Sequence, residues 1–419
     1  MNEAAPALKP RIHSLDQFRG YTVAGMFLVN FLGGFQNAPF LCKHHLTFCS
    51  YADTIMPHFF FAVGFAFRLS FGRRLNIDGT VKAYAHVVKR LLGLALVAFV
   101  VYTVGRQTDP WTWENFSGGG YWDVLHVASK QIWFQTLLHI AATSLWILPV
   151  IRASFRWRLA YMIGSALLHV VLSHVFYFDW IHTAPDAIDG GPLGFLTWTM
   201  PTMIGTFACD AVLVESGRPR LVKMMFWAIV MMGLGYGFSS GTRWYDVPAD
   251  RVDALSEQRT AKSPIIPEGD GFARWQDAIA NGKWSEVLAE PPFVPPPHSQ
   301  SGSDGADESQ KYRKWNYWMM GQCVGSISYL TFSSGLSLAV YVFFYVLSDM
   351  MGVRIGIFRT LGTNALIGYI LHGLVDRAVT SFMPPDSPTT YMYTGFVVYF
   401  WITWLFLRNL EKHDIYVKL

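Results

Sequence analysis

The feature that most constrains this chain is a series of apolar runs, each long enough to cross a bilayer as a helix. A hydrocarbon core needs about 20 residues at 1.5 Å rise per residue. Runs of that length fall near 16–37, 52–71, 84–105, 131–151, 158–178, 192–214, 221–240, 328–350, 356–376 and 390–409. The composition agrees: 52% of the residues are hydrophobic and only 15% charged, where soluble domains carry roughly 25% charged residues. The expected fold is therefore an all-α membrane protein, about ten transmembrane helices in one bundle with a long extracytoplasmic loop. The start, "MNEAAPALKPRIHSLDQFRGYTVAGMFLVNFLGGF", joins a charged lead to an apolar run without an evident small-residue cleavage site, and is read as an uncleaved first span. Ser14 and Gln17 stand in the Ser-x-x-Gln pattern of a capping box that would start this helix.

Basic residues in the short loops set the expected orientation. Lys9 and Arg11, Arg73 and Arg74, Arg152, Arg156 and Arg158, Arg218, Arg220 and Lys223, Arg354 and Arg359, then Arg408, Lys412 and Lys418 fall on the side of the termini. The opposite side carries Lys43 and the acidic "FDWIHTAPDAIDGG". This asymmetry predicts a multi-pass protein with cytoplasmic termini and the His-His hairpin outside, in a periplasm or its topological equivalent. The net charge of +4 is distributed by membrane side and gives no support for nucleic-acid binding. The expected division is residues 1–240 for spans one to seven with a hairpin near 38–52, 241–317 for an extracytoplasmic loop, and 318–419 for the last three spans. Within that loop "ARWQDAIANGKWSEVLAE" has helical character, while "PPPHSQSGSDGADESQ" reads as linker.

Titratable groups inside or beside a membrane are functional candidates until a partner is found. His58, His169 and His174 are read as helix-to-helix hydrogen bonders. The hairpin group His44, His45 and Asp53 is different. A neutral imidazole at the membrane boundary can accept a proton from an amine or hydroxyl attacking a carbonyl, and a carboxylate can orient the ring. Asn30 and Asn364 have the side chain to donate to a developing oxyanion or to hold the ring. Two rival readings use overlapping residues. Cys42, His44, His45 and Cys49 form a cluster that a zinc ion would fit only at an irregular spacing, and a Cys42–Cys49 disulfide bracing the hairpin is preferred to it; no metal is expected. His139 and His372 would be the ligands of a membrane haem, though the histidines are scattered rather than paired on facing spans.

The segments "SLDQFRGYTVAGMFLVNFLGG" (14–34) and "YADTIMPHFFFAVGFAFRLSF" (51–71), with His44 between them, resemble the opening of the heparan-α-glucosaminide N-acetyltransferase family. "GSISYLTFSSGLSLAVY" (325–341) and "LGTNALIGYILHGLVD" (361–376) extend the resemblance. It implies a transmembrane acyltransferase that takes acetyl from cytosolic acetyl-CoA and delivers it, by N- or O-acetylation, to an amino sugar or saccharide on the far side. It assigns catalysis to the loop histidine, His44 or His45, as general base or as acetyl carrier through an acetyl-imidazole, and carries over Asn30 and Asp53 by motif position and Asn364 and His372 more loosely, to the cofactor site. Lys43-His44 repeats the family's Lys-His order and favours His44. Arg19, Arg68, Arg73 and Arg74, with Lys89 and Arg90, would line a cytosolic mouth suited to coenzyme A phosphates. The expected partners are acetyl-CoA, the saccharide acceptor, the lipid bilayer and a second copy in a homodimer. The competing reading is a multi-span transporter or permease for a sugar, whose midplane site would also use polar side chains.

Overall fold

The computed structural model describes residues 12–45, 48–104, 113–183, 185–213, 219–245, 263–267, 269–294 and 316–416. Lys9, Arg11, Arg218, Lys418 and the Pro/Ser-rich segment 295–315 lie outside the described residues. Among the described residues the fold is all-helical, with no strand. The principal helices are α1 (His13–Gly33), α2 (Tyr51–Asp78), α3 (Thr80–Thr103), α4 (Thr136–Ile147), α5 (Phe155–Leu172), α6 (Phe195–Val212) and α7 (Leu221–Ser239). They are followed by α8 (Gly269–Ala280), α9 (Ile327–Tyr345), α10 (Gly356–Thr363), α11 (Ala365–Thr380) and α12 (Thr389–Lys412).

Six helical stretches among the described residues are long and apolar enough to cross a membrane: 51–78, 80–103, 155–182, 221–245, 327–350 and 389–412. A seventh candidate is the pair 121–132 and 136–150, bent by 87° at its break. A helix also lies in each of the other expected segments, but α1, α6 and the pair α10 and α11 do not meet the same measure. Their position explains the lower hydropathy. α1 buries Ser14, Gln17 and Thr22 against protein, and α6 buries Thr197, Thr199, Thr202 and Thr206, so these helices face neighbours that can take hydrogen bonds rather than lipid. The outer helices show the opposite pattern. Leu92, Leu96 and Val100 on α3, and Trp401, Ile402, Leu405 and Phe406 on α12, are exposed, an apolar belt that suits hydrocarbon.

Small residues let the inner helices close up. A Cβ on Gly64 of α2 would sit 1.9 Å from the Thr202 carbonyl oxygen, and one on Gly205 of α6 would sit 2.1 Å from the Phe61 carbonyl oxygen. The α2–α6 crossing therefore depends on both glycines, as expected where packing replaces the hydrophobic drive between membrane helices. Histidines make other long-range bonds. His58 Nδ1 lies 2.7 Å from Ser337 Oγ, His169 Nδ1 2.9 Å from the Tyr317 hydroxyl, and His174 Nδ1 2.9 Å from Ser263 Oγ. The first joins α2 to α9 as read from the sequence, whereas Tyr317 and Ser263 lie in loop segments, so the other two tie helices to loops.

The start of α1 departs from expectation. Its N-cap is Ile12 and no side chain caps it from that position. Ser14 Oγ pairs with the Tyr341 hydroxyl, and the Gln17 side chain bonds both the N–H and the C=O of Ile355. The carboxylate of Asp349 accepts the His13 and Ser14 N–H groups instead, each at 3.1 Å. The orphan donors of a helix terminus need an acceptor, and a carboxylate from beyond α9 supplies it.

A continuous helical stretch from Phe155 to His182 separates Ser154 from Asp186, both exposed. A cysteine introduced at Ser154 is expected to react with an impermeant maleimide only from the cytoplasmic face, and one at Asp186 only from outside. The background should carry Cys323→Ser, because Cys323 is the least buried native thiol. Labelling of both positions from one side overturns the orientation.

Candidate functional site

The chain leaves α1 at Gly33, makes one tight turn at Phe40–Cys42, and runs extended through His44 toward α2. Ser50 caps α2 in a reciprocal box: its Oγ accepts the Asp53 N–H, and Asp53 Oδ2 accepts the Ser50 N–H at 2.8 Å. Ser50 Oγ, at 2.9 Å from Oδ2, and its 2.8 Å contact to the Lys43 carbonyl tie the hairpin to the same cap. Capping therefore uses Oδ2. Asp53 Oδ1 is left for the His44 Nδ1–H, which donates to it at 2.7 Å. The carboxylate is 1% exposed and the imidazole 57% exposed, so a buried anion holds a ring that faces outward.

With Nδ1 bound to the carboxylate, neutral His44 presents the lone pair of Nε2. Although the ring keeps over half of its surface exposed, the protein packed around it partly desolvates it, and this, the largest single influence, works to lower its pKa. The Asp53 hydrogen bond and charge, joined by the Asp189 charge and the Gln322 side chain, outweigh it, and the net displacement is upward. His45 has a different environment. Its Nε2–H donates to the Phe40 carbonyl at 3.0 Å, and its ring packs between Phe40 and Phe48. Burial pulls His45 below the ordinary histidine value. The adjacent histidines thus divide into one paired with a carboxylate and one packed into the hairpin.

The hairpin contains no disulfide. Cys42 and Cys49 are free and buried, contrary to the expected bridge, and the cap, the His45 bond and the Phe40–Phe48 stack at 4.9 Å do the bracing. Burial raises both thiols, and Cys323 is pushed up to about 12 by burial and by the Asp189, Asp53 and Asp186 carboxylates. At neutral pH none of them is a ready thiolate nucleophile. No group of three or more metal-ligating side chains is assembled among the described residues.

The other expected site residues show no hydrogen bond to the dyad among the described residues. Asn30 Nδ2 donates to His372 Nε2 at 3.1 Å, while His372 Nδ1–H is turned to the Tyr369 carbonyl. Asn364 breaks the helix between α10 and α11 and is 1% exposed, with neither side-chain polar atom bonded to protein. His139 is likewise buried with both ring nitrogens unpaired among the described residues, and the rings packed on it are Phe134 and Trp198 rather than a second histidine. Arg68 is engaged elsewhere: it clamps Asp210 through two nitrogens, and Arg158 binds the same carboxylate. On the same end of the bundle, Arg90 lies within electrostatic reach of Arg19 and Arg74, and Arg73 is exposed beside them.

Sequence reading did not single out Asp189 and Gln322. Gln322 Nε2 donates to Asp189 Oδ1 at 2.7 Å, across 133 residues of chain. Burial raises the Asp189 carboxyl, and the Gln322 N–H and the His44 ring work against that rise. The long loop also reaches the hairpin. The Phe293 N–H donates to the Cys49 carbonyl at 2.9 Å, and the Tyr236 hydroxyl holds the nearby Ala289 carbonyl at 2.9 Å. Helix α8 (Gly269–Ala280) overlaps the stretch read as helical, starting four residues before it, and the turn Trp284–Val287 falls within it.

A family model described as "Heparan-alpha-glucosaminide N-acetyltransferase, catalytic" matches residues 11–235, more than half of the chain and the whole hairpin with its flanking helices. No curated protein matches the chain.

A base must be neutral to act, so the rate should fall as pH drops through its folded-state pKa. Because His44 is displaced upward and His45 downward, kcat/KM should rise through a limb above the ordinary histidine value of about 6.5. His44→Ala is expected to lose about two to four orders of magnitude in rate, and His45→Ala much less. Asp53→Asn should lower the rate and move the limb down. A limb below the ordinary value, with an inactive His45→Ala and an active His44→Ala, assigns the base to the other histidine.

Proposed function

The chain belongs to the heparan-alpha-glucosaminide N-acetyltransferase catalytic family, and from that premise we propose a specific reading of its transmembrane acetyltransferase activity. Acetyl-CoA is the donor and enters from the cytoplasm. An amino sugar on the extracytoplasmic side is the acceptor, and His44 with Asp53 is the base that joins them. The chain would lie in a bacterial inner membrane, cross it ten times and keep both termini inside. The single observation that carries the reading is the His44–Asp53 pair, an outward-facing imidazole on a buried carboxylate in the hairpin between α1 and α2.

In this reaction the acceptor nitrogen attacks the thioester carbonyl. A C–N bond forms and the C–S bond breaks. The amine proton passes to His44 Nε2, whose imidazolium is stabilised by Asp53, and from there to the departing coenzyme A thiolate. The products are the acetamide and free coenzyme A. Holding the nucleophile, the base and the carbonyl together also removes much of the entropic cost of a bimolecular step. Direct transfer needs no covalent enzyme intermediate, and the raised thiols of the hairpin give no reason to invoke one.

The cytoplasmic end supports the donor assignment by charge. Arg19, Arg74 and Arg90 gather cations from three helices, a grouping suited to phosphate oxygens. Arg68 is less suited, because its guanidinium is committed to Asp210. Asp53 and Arg74 are 21 residues apart on α2, about 32 Å along a helix at 1.5 Å per residue. Arg19 lies 14 residues from the hairpin end of α1, about 21 Å by the same measure. The phosphates are therefore better placed at the depth of Arg19, with the uncharged pantetheine arm reaching inward between α1 and α2. Sending only the neutral end of the donor through the membrane avoids burying its phosphates.

The double variant Arg74→Gln with Arg90→Gln should raise the KM for acetyl-CoA about 10- to 100-fold, the equivalent of losing charged hydrogen bonds, with a smaller change in kcat. Insertion must be verified by the cysteine-labelling pattern, since the same charges set topology. An unchanged KM in a correctly inserted double variant reduces these arginines to membrane anchors.

A further inference from the structure

Resting on that reading, we infer that Gln322, aimed by Asp189, is a specificity-determining residue that selects an amine over a hydroxyl acceptor. Its role follows from which end of its amide faces the base. A carboxylate can only accept, so the 2.7 Å contact between Gln322 and Asp189 Oδ1 must be made by the amide N–H. The carbonyl end is thereby turned the other way. Gln322 Oε1 is buried and has no hydrogen-bond partner of normal geometry among the described residues. The side chain stands beside His44, close enough to influence the ring but without a bond of normal geometry to it.

The structure invests in this arrangement. Asp189 has φ +53°, a left-handed conformation that a non-glycine residue adopts only where its surroundings enforce it, and Gly190 and Gly191 continue the turn at +85° and +57°. The Trp198 Nε1–H donates to the Asp189 carbonyl at 2.8 Å, the Gly190 N–H donates to the Cys323 carbonyl at 2.9 Å, and the Tyr177 hydroxyl donates to the Gly190 carbonyl at 2.6 Å. These bonds lock the turn that carries Asp189 to the loop that carries Gln322. A buried acceptor left open beside a base is a costly feature unless a ligand fills it.

An amine fills it and a hydroxyl does not. A neutral primary amine attacking the thioester has two N–H groups, one to surrender to His44 Nε2 and one to donate to Gln322 Oε1. A hydroxyl has a single proton, which the base must take, and it leaves Oε1 unpaired in the transition state. The same step then breaks the C–S bond and forms the C–N bond, with the transferred proton leaving on the thiol of coenzyme A. Sites built around a substrate donor discriminate strongly against an analogue that lacks it.

The test compares glucosamine with glucose, which differ at one position by NH₂ against OH, using acetyl-CoA and full-length protein in detergent. Wild-type protein should strongly prefer glucosamine. Gln322→Met, which keeps the length and removes the amide, should lower the glucosamine-to-glucose ratio of kcat/KM about 10- to 100-fold, leaving the acetyl-CoA KM in place and moving the His44 limb down, because the amide helps to raise that ring. Loss of packing alone would reduce both sugars together and leave the ratio unchanged. Should Gln322→Met fail to accumulate, Asp189→Asn carries the same test with a smaller expected drop, since asparagine tolerates the left-handed turn and removes the charge that aims the amide. A wild type that prefers glucosamine and a folded variant that keeps the same ratio overturns this inference alone. A wild type that acetylates neither sugar overturns the acetyl-transfer reading and this inference with it.

Discussion

The hydrogen bonds to the Asp53 carboxylate are the interaction on which the site depends. Removing such a group from water costs several kcal/mol even after relaxation. Asp53 is 1% exposed, and its compensation is local: the Ser50 N–H on one oxygen and the His44 Nδ1–H on the other. The N-terminus of α2 adds its positive end. One side chain therefore starts a helix, anchors the hairpin through Ser50 and Lys43, and fixes the tautomer of the base. A shift in any of these costs the others, which keeps an otherwise exposed imidazole in one orientation.

The bundle then has to hold the first turn of α2 still, and it does so from two sides. The Tyr329 hydroxyl of α9 donates to the Asp53 carbonyl, so the start of α2 is pinned to the start of α9. Further down, the close approach at Gly64 and Gly205 fixes α2 against α6. Gln322 and Ser326 lie in the segment leading into α9, and Asp189 lies in the turn leading into α6. The three helices whose ends meet at the hairpin thus deliver the dyad, the amide and the second carboxylate to one place. Rigid elements position such groups more closely than free loops can.

Much of this was legible in the sequence, and the rest failed for identifiable reasons. Apolar runs located the helices because the length needed to cross a bilayer is a physical constant of the lipid. Composition could not separate lipid-facing helices from those enclosed by protein, so the expectation of ten spans stands beside six helices apolar enough on their own. The Ser-x-x-Gln pattern at Ser14 was a sound signal in the wrong place: Ser14 and Gln17 turned to Tyr341 and Ile355, contacts more than 300 residues away. The box that forms, at Ser50 and Asp53, uses the same carboxylate that pairs with His44, so one side chain serves two contacts. The Cys42–Cys49 bridge was inferred from spacing alone, and the structure leaves both thiols free. Asp189 was visible only as one acid among several in "FDWIHTAPDAIDGG", since nothing local reports a partner 133 residues onward.

The same long helix explains how two incompatible demands are met. A phosphate-bearing donor needs cations, and an amine acceptor needs a base beside carboxylates; in a small site each would neutralise the other. α2 separates them by its length, with Arg74 near one end and Asp53 at the other. Across about 30 Å of hydrocarbon, charges at the two ends interact weakly because solvent and salt screen each of them. The positive group on Arg19, Arg74 and Arg90 therefore has little power to depress the His44 pKa, which is governed by Asp53 and Asp189 beside it. Under the proposed reading, each end of the bundle is tuned to its own substrate, and only the uncharged acetyl group has to pass between them.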